Sequence, residues 1–355
     1  MIFFLDHPIL NNIPDTSVLA LFAFFISLGM AILIVLFHRH FLNLDNSMSD
    51  IQVAHLVPTP RYGGLAVFFA IAAPAFFFQL SDAQWIVISS LPIFVIGLAE
   101  DSYLKTAPTL RYFLGTISAV CGVLLSGVAL NSIDLGYIDR LLSVPFAAFI
   151  FTVFCIVGLI NAVNLIDGIH GLSSGVTVIM SLSFFAVAQR VGDAELANLG
   201  IILAAASLGL MILNYPFGKI FMGDLGAYLY GFYIALITII LFGRNPELPS
   251  WGAVLVLFYP LMEIFFSYYR KIFFEKISPI YPDSFHLHLK IYRLLSLGIK
   301  RKKVANGLVM PTLAILWLSP CALIVLFYNS LPGIILSLVL LVIAYLSFYC
   351  ALPRK

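Results

Sequence analysis

Charge is what this chain has least of. Of 355 residues only 10% are Asp, Glu, Lys or Arg, while 62% are hydrophobic and mean hydropathy is +1.06. A soluble domain carries about a quarter charged residues, so a water-soluble globule is excluded. Cysteine is scarce too. Cys121, Cys155, Cys321 and Cys350 each fall inside an apolar run with no metal-type spacing. A disulfide framework and a zinc module are therefore not expected, and the four read as small core residues. The first residues lack the basic stretch and small-residue cleavage site of a removable signal peptide. Low-complexity segments, linkers, internal repeats and large outer loops are missing as well. Net charge is +2, and no nucleic-acid partner is expected.

Apolar runs make up the rest. A bilayer crossing needs about 20 apolar residues, and eleven segments qualify. They are Ser17–Phe37, Tyr62–Leu80, Trp85–Ala99, Leu110–Leu130, Leu141–Ile160, Leu172–Ala188, Ala197–Leu213, Leu225–Phe242, Trp251–Tyr269, Gly307–Phe327 and Ile334–Cys350. The third is short, and the eleventh reads equally as a re-entrant or tilted helix. The expected fold class is an all-α polytopic membrane protein of about 10–11 transmembrane helices. A single integral domain would span residues 1–355 in the lipid bilayer.

Lys and Arg set the orientation. With the N-terminus outside, the outer loops hold only Arg140, Arg190 and Arg244, and the other sixteen of the nineteen basic residues lie inside. Cytoplasmic loops carry this excess, so the C-terminus is expected in the cytoplasm. The same choice gathers the unusual polar residues on the inner side.

Five inner segments carry chemistry. The first ends Pro58-Thr-Pro60-Arg61-Tyr-Gly63-Gly64. Arg61 reads either as a positive-inside anchor or as a planar fork for a phosphate. The second begins Glu100-Asp101 and runs to Arg111 past Lys105. Adjacent carboxylates repel and need a cation, a proton or a partner. Mg²⁺ with phosphates is one solution, and a solvated helix end is another. The third is Asn161-Ala-Val-Asn164-Leu-Ile-Asp167-Gly168-Ile-His170-Gly171, at an abrupt break in hydropathy. Helix caps would account for Asn and Asp there. Polar groups at a span edge also mark sites facing substrate or water.

The fourth runs from Asn214 to Gly226 and contains Phe221-Met-Gly223-Asp224. It places a carboxylate between glycines directly before a span. Phe221 reads as a stacking surface for a flat base or as core. The fifth, Arg270 to Asn306, holds nine Lys/Arg residues and the run Pro282-Asp283-Ser-Phe285-His286-Leu-His288-Leu-Lys290. Two histidines two apart, with no third or fourth ligand, argue against structural zinc. Among basic groups they point to phosphate. The cluster Lys300-Arg301-Lys302-Lys303 reads as an anionic-lipid anchor. Carboxylates, histidines and cations on one face suit phosphoryl chemistry on a lipid-borne phosphate.

These segments, in order and spacing, resemble the polyprenyl-phosphate N-acetylhexosamine-1-phosphate transferases. That glycosyltransferase family 4 type includes the enzymes that start O-antigen and teichoic acid synthesis and the phospho-MurNAc-pentapeptide transferase. The resemblance implies transfer of a sugar-1-phosphate from a UDP-N-acetylhexosamine to undecaprenyl phosphate, with release of UMP. It implies Mg²⁺, with Mn²⁺ as a substitute, and an active site on the cytoplasmic face of the bacterial inner membrane. Carried over, Asp224 is the metal carboxylate. Glu100, Asp101, Asp167, His286 and His288 are catalytic. Arg61, Arg111, Asn164, Asn214, Phe221 and Lys290 bind substrate. The acidic pair departs from the usual Asp-Asp at Glu100. His170 replaces a second Asp, Ala227 replaces a Ser or Thr, and the histidine motif has Ser284 and Leu289 in place of Arg and a third His. These departures suggest a polysaccharide-initiating branch over the peptidoglycan one. Oligomeric state is open, a homodimer being compatible. A secondary transporter is the rival class, but it would hold its ionisable groups near the bilayer midplane. Here they gather at one edge.

Overall fold

The computed structural model describes residues 15–42, 59–102, 104, 106–278 and 285–353. Lys105 and Asp283 lie outside the described residues. Apolar composition, with helix-internal hydrogen bonds as the only way to satisfy backbone polar groups in lipid, leaves helices as the solution. No strand occurs among the described residues.

The order is α1 (Thr16–Leu42), α2 (Gly63–Phe77), α3 (Ser81–Ser89), α4 (Leu91–Asp101), α5 (Pro108–Ser126), α6 (Gly136–Leu142), α7 (Pro145–Ile166) and α8 (Leu172–Val191). There follow α9 (Ala194–Asn214), α10 (Gly223–Arg244), α11 (Trp251–Val256), α12 (Phe258–Arg270), a π-helical turn (Lys271–Glu275), α13 (Leu287–Gly298), α14 (Lys302–Thr312), α15 (Ala314–Phe327) and α16 (Leu331–Ala351).

The eleven expected segments are all helical, though not all are simple crossings. Among the described residues eight helices are long and apolar enough to span a membrane, nine if α3 and α4 form one broken span bent by 49°. The third expected span is that bent pair, with Pro92 in the first turn of α4. The second is the 15-residue α2. The ninth is split into α11 and α12, with Pro260 in the first turn of the second piece. Proline has no N–H to donate and settles at first turns, which is why these runs break.

Helix α10 is the hub. It packs on α2, α4, α7 and α8, and its hydrophobic window is buried on every side. Small residues permit this close packing, as they do generally between membrane helices. A Cβ on Gly97 of α4 would stand 2.5 Å from Leu225 Cα, and one on Gly231 would stand 2.5 Å from Ile160 Cα. At the Arg244 end of α10, that arginine pairs with Asp82 at 2.8 Å and Asp193 at 3.7 Å. The opposite end, at Gly223–Asp224, carries the candidate site.

Candidate active site

Two loops meet backbone to backbone at the start of α10. The Phe221 N–H donates to the Pro60 carbonyl at 2.8 Å. The N–H groups of Gly63 and Gly64 donate to the carbonyls of Phe221 and Met222, at 3.0 and 2.8 Å. This pairing brings Arg61 over Asp224, with Nη2 3.2 Å from Oδ2 and both side chains about a third exposed. Gly223 is the turn that makes the approach feasible. Its φ is +78°, and a Cβ there would strike the Arg61 carbonyl and the Asp101 carboxylate. No other residue type fits.

The adjacent acids do different jobs. Asp101 is 1% exposed, and its Oδ1 and Oδ2 accept the N–H groups of Asp224 at 2.8 Å and Leu225 at 3.0 Å. It therefore caps α10 from a neighbouring helix, satisfying two of the orphan donors at a helix start. Glu100 turns the other way. It accepts from Thr106 at 2.7 Å and from the Tyr228 hydroxyl, which itself accepts from Arg111 Nη1 at 2.9 Å. The Arg111 guanidinium also lies over the rings of Tyr112 and Tyr228.

The Asp167 loop leaves the end of α7. Its carboxylate accepts from the Ser173 hydroxyl at 2.5 Å. Burial pushes the Asp167 carboxyl up to about 6, helped by the nearby Asp224 charge and opposed by Ser173 and Arg61. Asn164, half-buried in the last turn of α7, accepts the Asp167 N–H through its backbone carbonyl at 3.3 Å. Gly171, at φ +74°, donates its N–H to Asn214 Oδ1 at 2.7 Å, and Asn214 Nδ2 donates to the Ile220 carbonyl at 2.7 Å. Buried Asn214 thus ties the third loop to the fourth. The His170 backbone N–H donates to Asn306 Oδ1 at 2.7 Å, and the His170 Nδ1 lies 3.0 Å from the Pro216 carbonyl. The half-buried Phe221 ring sits 5.6 Å from the His170 ring.

The histidines have a carboxylate partner that sequence reasoning missed. Glu263 of α12, 1% exposed, places Oε2 3.2 Å from His286 Nδ1 and Oε1 3.8 Å from His288 Nδ1. The two imidazoles stack at 5.5 Å with 6° between their planes. Glu263 Oε2 also accepts the Leu287 N–H at 3.3 Å, at the start of α13. Lys290, by contrast, is buried against the end of α16. Its Nζ donates to the Tyr349 and Leu352 carbonyls at 3.3 and 3.4 Å and lies 4.0 Å from the Tyr349 ring centroid. Its charge serves a helix C-terminus, where cations are favoured.

Arg61, Glu100, Arg111, Asp167, Phe221 and Asp224 are therefore gathered around the start of α10. Asp101 and Asn214 form the frame behind them. The histidine segment adjoins through the Asp167 loop, where a Cβ on Gly168 would touch Leu289 at 3.9 Å. Tyr228 and Glu263 sit within apolar runs. The signal that would have found Glu263 is its being a lone acid inside such a run.

Comparison with known proteins matches residues 83–242 to the glycosyl transferase family 4 model. The chain is 27% identical over 247 residues to a probable undecaprenyl-phosphate N-acetylglucosaminyl 1-phosphate transferase of Bacillus subtilis, covering 68% of this chain and 67% of that one. It is 29% identical over 283 residues to a decaprenyl-phosphate N-acetylglucosaminephosphotransferase of Mycobacterium leprae, with 70% of each covered. A phospho-N-acetylmuramoyl-pentapeptide-transferase of Latilactobacillus sakei is 28% identical over 242 residues, covering 63% of this chain and 74% of that one. The matched region holds the loops around Asp101 and Asp167, the Gly223–Asp224 turn and most of α10, and over it the chain is similar to glycosyl transferase family 4.

Proposed function

We propose that this chain transfers N-acetylhexosamine-1-phosphate, N-acetylglucosamine-1-phosphate by default, from a UDP-sugar to undecaprenyl phosphate. In that reaction a phosphate oxygen of the lipid attacks the sugar-bearing phosphorus, the bond to UMP breaks, and UMP leaves. The step would begin a cell-envelope polysaccharide on the cytoplasmic face of the bacterial inner membrane. The carrying observation is the meeting of Arg61, Asp224, Asp167 and the Glu100–Tyr228–Arg111 chain at one end of the bundle. The polyprenyl-phosphate sugar transferases among its relatives support the same reading.

Phosphoryl transfer demands positioning and charge neutralisation more than covalent help. Arg61 and Arg111 would hold phosphate oxygens. Asp167 and Asn164 would orient the nucleotide, with Phe221 as a surface for its base. His286 and His288 would meet the diphosphate. The donor set fits Mg²⁺, with Mn²⁺ as a substitute. Among the described residues no three His, Cys, Asp or Glu side chains form a ligand cage. Mg²⁺ needs none, since it takes one or two carboxylates and completes its shell with water and substrate phosphate. Asp224 would hold it, and the bound ion supplies neutralisation of the diphosphate charge.

The test is incubation of purified protein, undecaprenyl phosphate and Mg²⁺ with a panel of UDP-sugars that includes UDP-MurNAc-pentapeptide. UMP release is expected with a UDP-N-acetylhexosamine, and EDTA or Asp224→Asn should abolish it. No UMP with any donor refutes the assignment. Turnover of the pentapeptide donor alone moves the chain to the peptidoglycan branch. A C-terminal reporter active only in the periplasm would overturn the orientation.

A further inference from the structure

Glu263 stands where an apolar residue would be expected. It is 1% exposed on α12, and a buried carboxylate is costly unless partnered. Its neighbours include two imidazoles, one helix N–H and the buried Tyr259 and Tyr345. Well-packed apolar side chains often stabilise a fold as well as a buried ionic cluster does, so stability alone gives no reason for the arrangement. Geometry supplies one. Both rings turn Nδ1 to the same carboxylate, and they lie parallel within 6°. An acceptor at Nδ1 decides which nitrogen carries the proton and which way the ring faces. The Nε2 edge of each ring is then on the side away from α12.

We propose that Glu263 is a positioning residue for the transfer reaction: its carboxylate fixes the ring orientation and Nδ1–H form of His286, so that this imidazole presents Nε2 to the diphosphate. The proposal rests on the reading that these histidines meet the substrate. Glu263 itself touches no reacting atom. Its effect runs through that one ring, as the buried acid of a hydrolase triad acts through its histidine.

The experiment compares UMP release by wild type, Glu263→Gln, His286→Ala, His288→Ala and the double variant Glu263→Gln/His286→Ala. Glu263→Gln keeps the shape and an oxygen for the Leu287 N–H. Its turnover should fall about tenfold or more, the scale for losing an orienting group, while KM for the UDP-sugar changes by less than about threefold. The double variant should match His286→Ala within about threefold, because a residue acting through His286 has no effect once that ring is gone. Losses that multiply in the double variant overturn the proposal. So does a Glu263→Gln enzyme with wild-type turnover when the histidine variants are impaired. Histidine variants with wild-type turnover refute the substrate reading instead. Nitrogen-15 NMR of histidine-labelled wild-type protein, with the His286 signals assigned from His286→Gln, needs no Glu263 variant. A proton on Nδ1 of His286 is expected, and a bare Nδ1 with the proton on Nε2 overturns the proposal.

Discussion

Asp101→Asn should first be a stability variant. The Asp101 carboxylate accepts one N–H on each oxygen, from Asp224 at 2.8 Å and Leu225 at 3.0 Å, in a site that is 1% exposed. An asparagine there offers one oxygen and one NH₂ group, so one N–H at the start of α10 faces another donor. A buried donor left unsatisfied costs about 1–3 kcal/mol. Removing the negative charge from the helix N-terminus adds roughly 0.3–2 kcal/mol. Together these give a loss of about 3 kcal/mol, mostly at the hub of the bundle. Thermal unfolding of the detergent-solubilised protein should show a midpoint lower by several degrees. Because the Asp224 backbone is one of the two donors, the Mg²⁺ requirement should also rise, with residual turnover at high Mg²⁺. The contrary result is a midpoint within about 1 °C of wild type together with a turnover loss beyond about 100-fold that Mg²⁺ does not relieve. That pattern would mean the Asp101 carboxylate works on substrate directly.

Three other perturbations probe the same end of the bundle. Glu100→Asp restores the commoner Asp-Asp pair and on sequence grounds should be the milder change. The structure reverses this, since a side chain shorter by about 1.5 Å loses Thr106 and Tyr228 together. Each bond to a charged group is worth about 1.5–3 kcal/mol, so a turnover loss of about tenfold or more is expected, and wild-type kinetics would contradict it. Gly223→Ala adds a Cβ against the Arg61 carbonyl and the Asp101 carboxylate at φ +78°. Left-handed strain alone costs roughly 1–2 kcal/mol, so UMP release and the thermal midpoint should both fall, and an unchanged midpoint would contradict the packing. Asp167, at about 6, should give the turnover profile an acid limb there, since its charge is lost as pH falls through that value. Its folded value lies above the ordinary 3.8, so the charged form costs stability. The wild-type midpoint should therefore rise relative to Asp167→Asn as pH drops from about 7 to about 5, and parallel midpoints would refute the shift.

The inner segments were legible because polar residues interrupt apolar runs, and the eye catches Asp167 or Asp224 at such a break. What those residues face was not legible. Glu263 and Tyr228 each lie inside long apolar runs, where one polar residue barely moves the average hydropathy. Nothing in the local pattern names a partner 23 or 128 positions away. Proximity in sequence groups Lys290 with the histidines, yet residues two apart on a helix point about 200° apart. His288 accordingly faces Glu263, while Lys290 faces the end of α16. The break in the third expected span follows Pro92, a signal present in sequence but outweighed there by overall apolarity.

The acids show the deepest reason. Five carboxylates, Glu100, Asp101, Asp167, Asp224 and Glu263, lie at or beside this face, and by residue type they are equivalent. Two of them accept N–H groups at the start of a helix that belongs to another part of the chain, Asp101 for α10 and Glu263 for α13. Each helix so capped begins with a candidate substrate-facing group, Asp224 in one case and His288 in the other. A buried acid behind the helix start fixes that group's backbone and leaves its side chain for the ligand. Asp101 and Glu263 should accordingly act through what they position, and Asp224 and the histidines through what they touch. Variants of the first kind should move unfolding midpoint or imidazole protonation along with activity, and variants of the second kind should move activity alone.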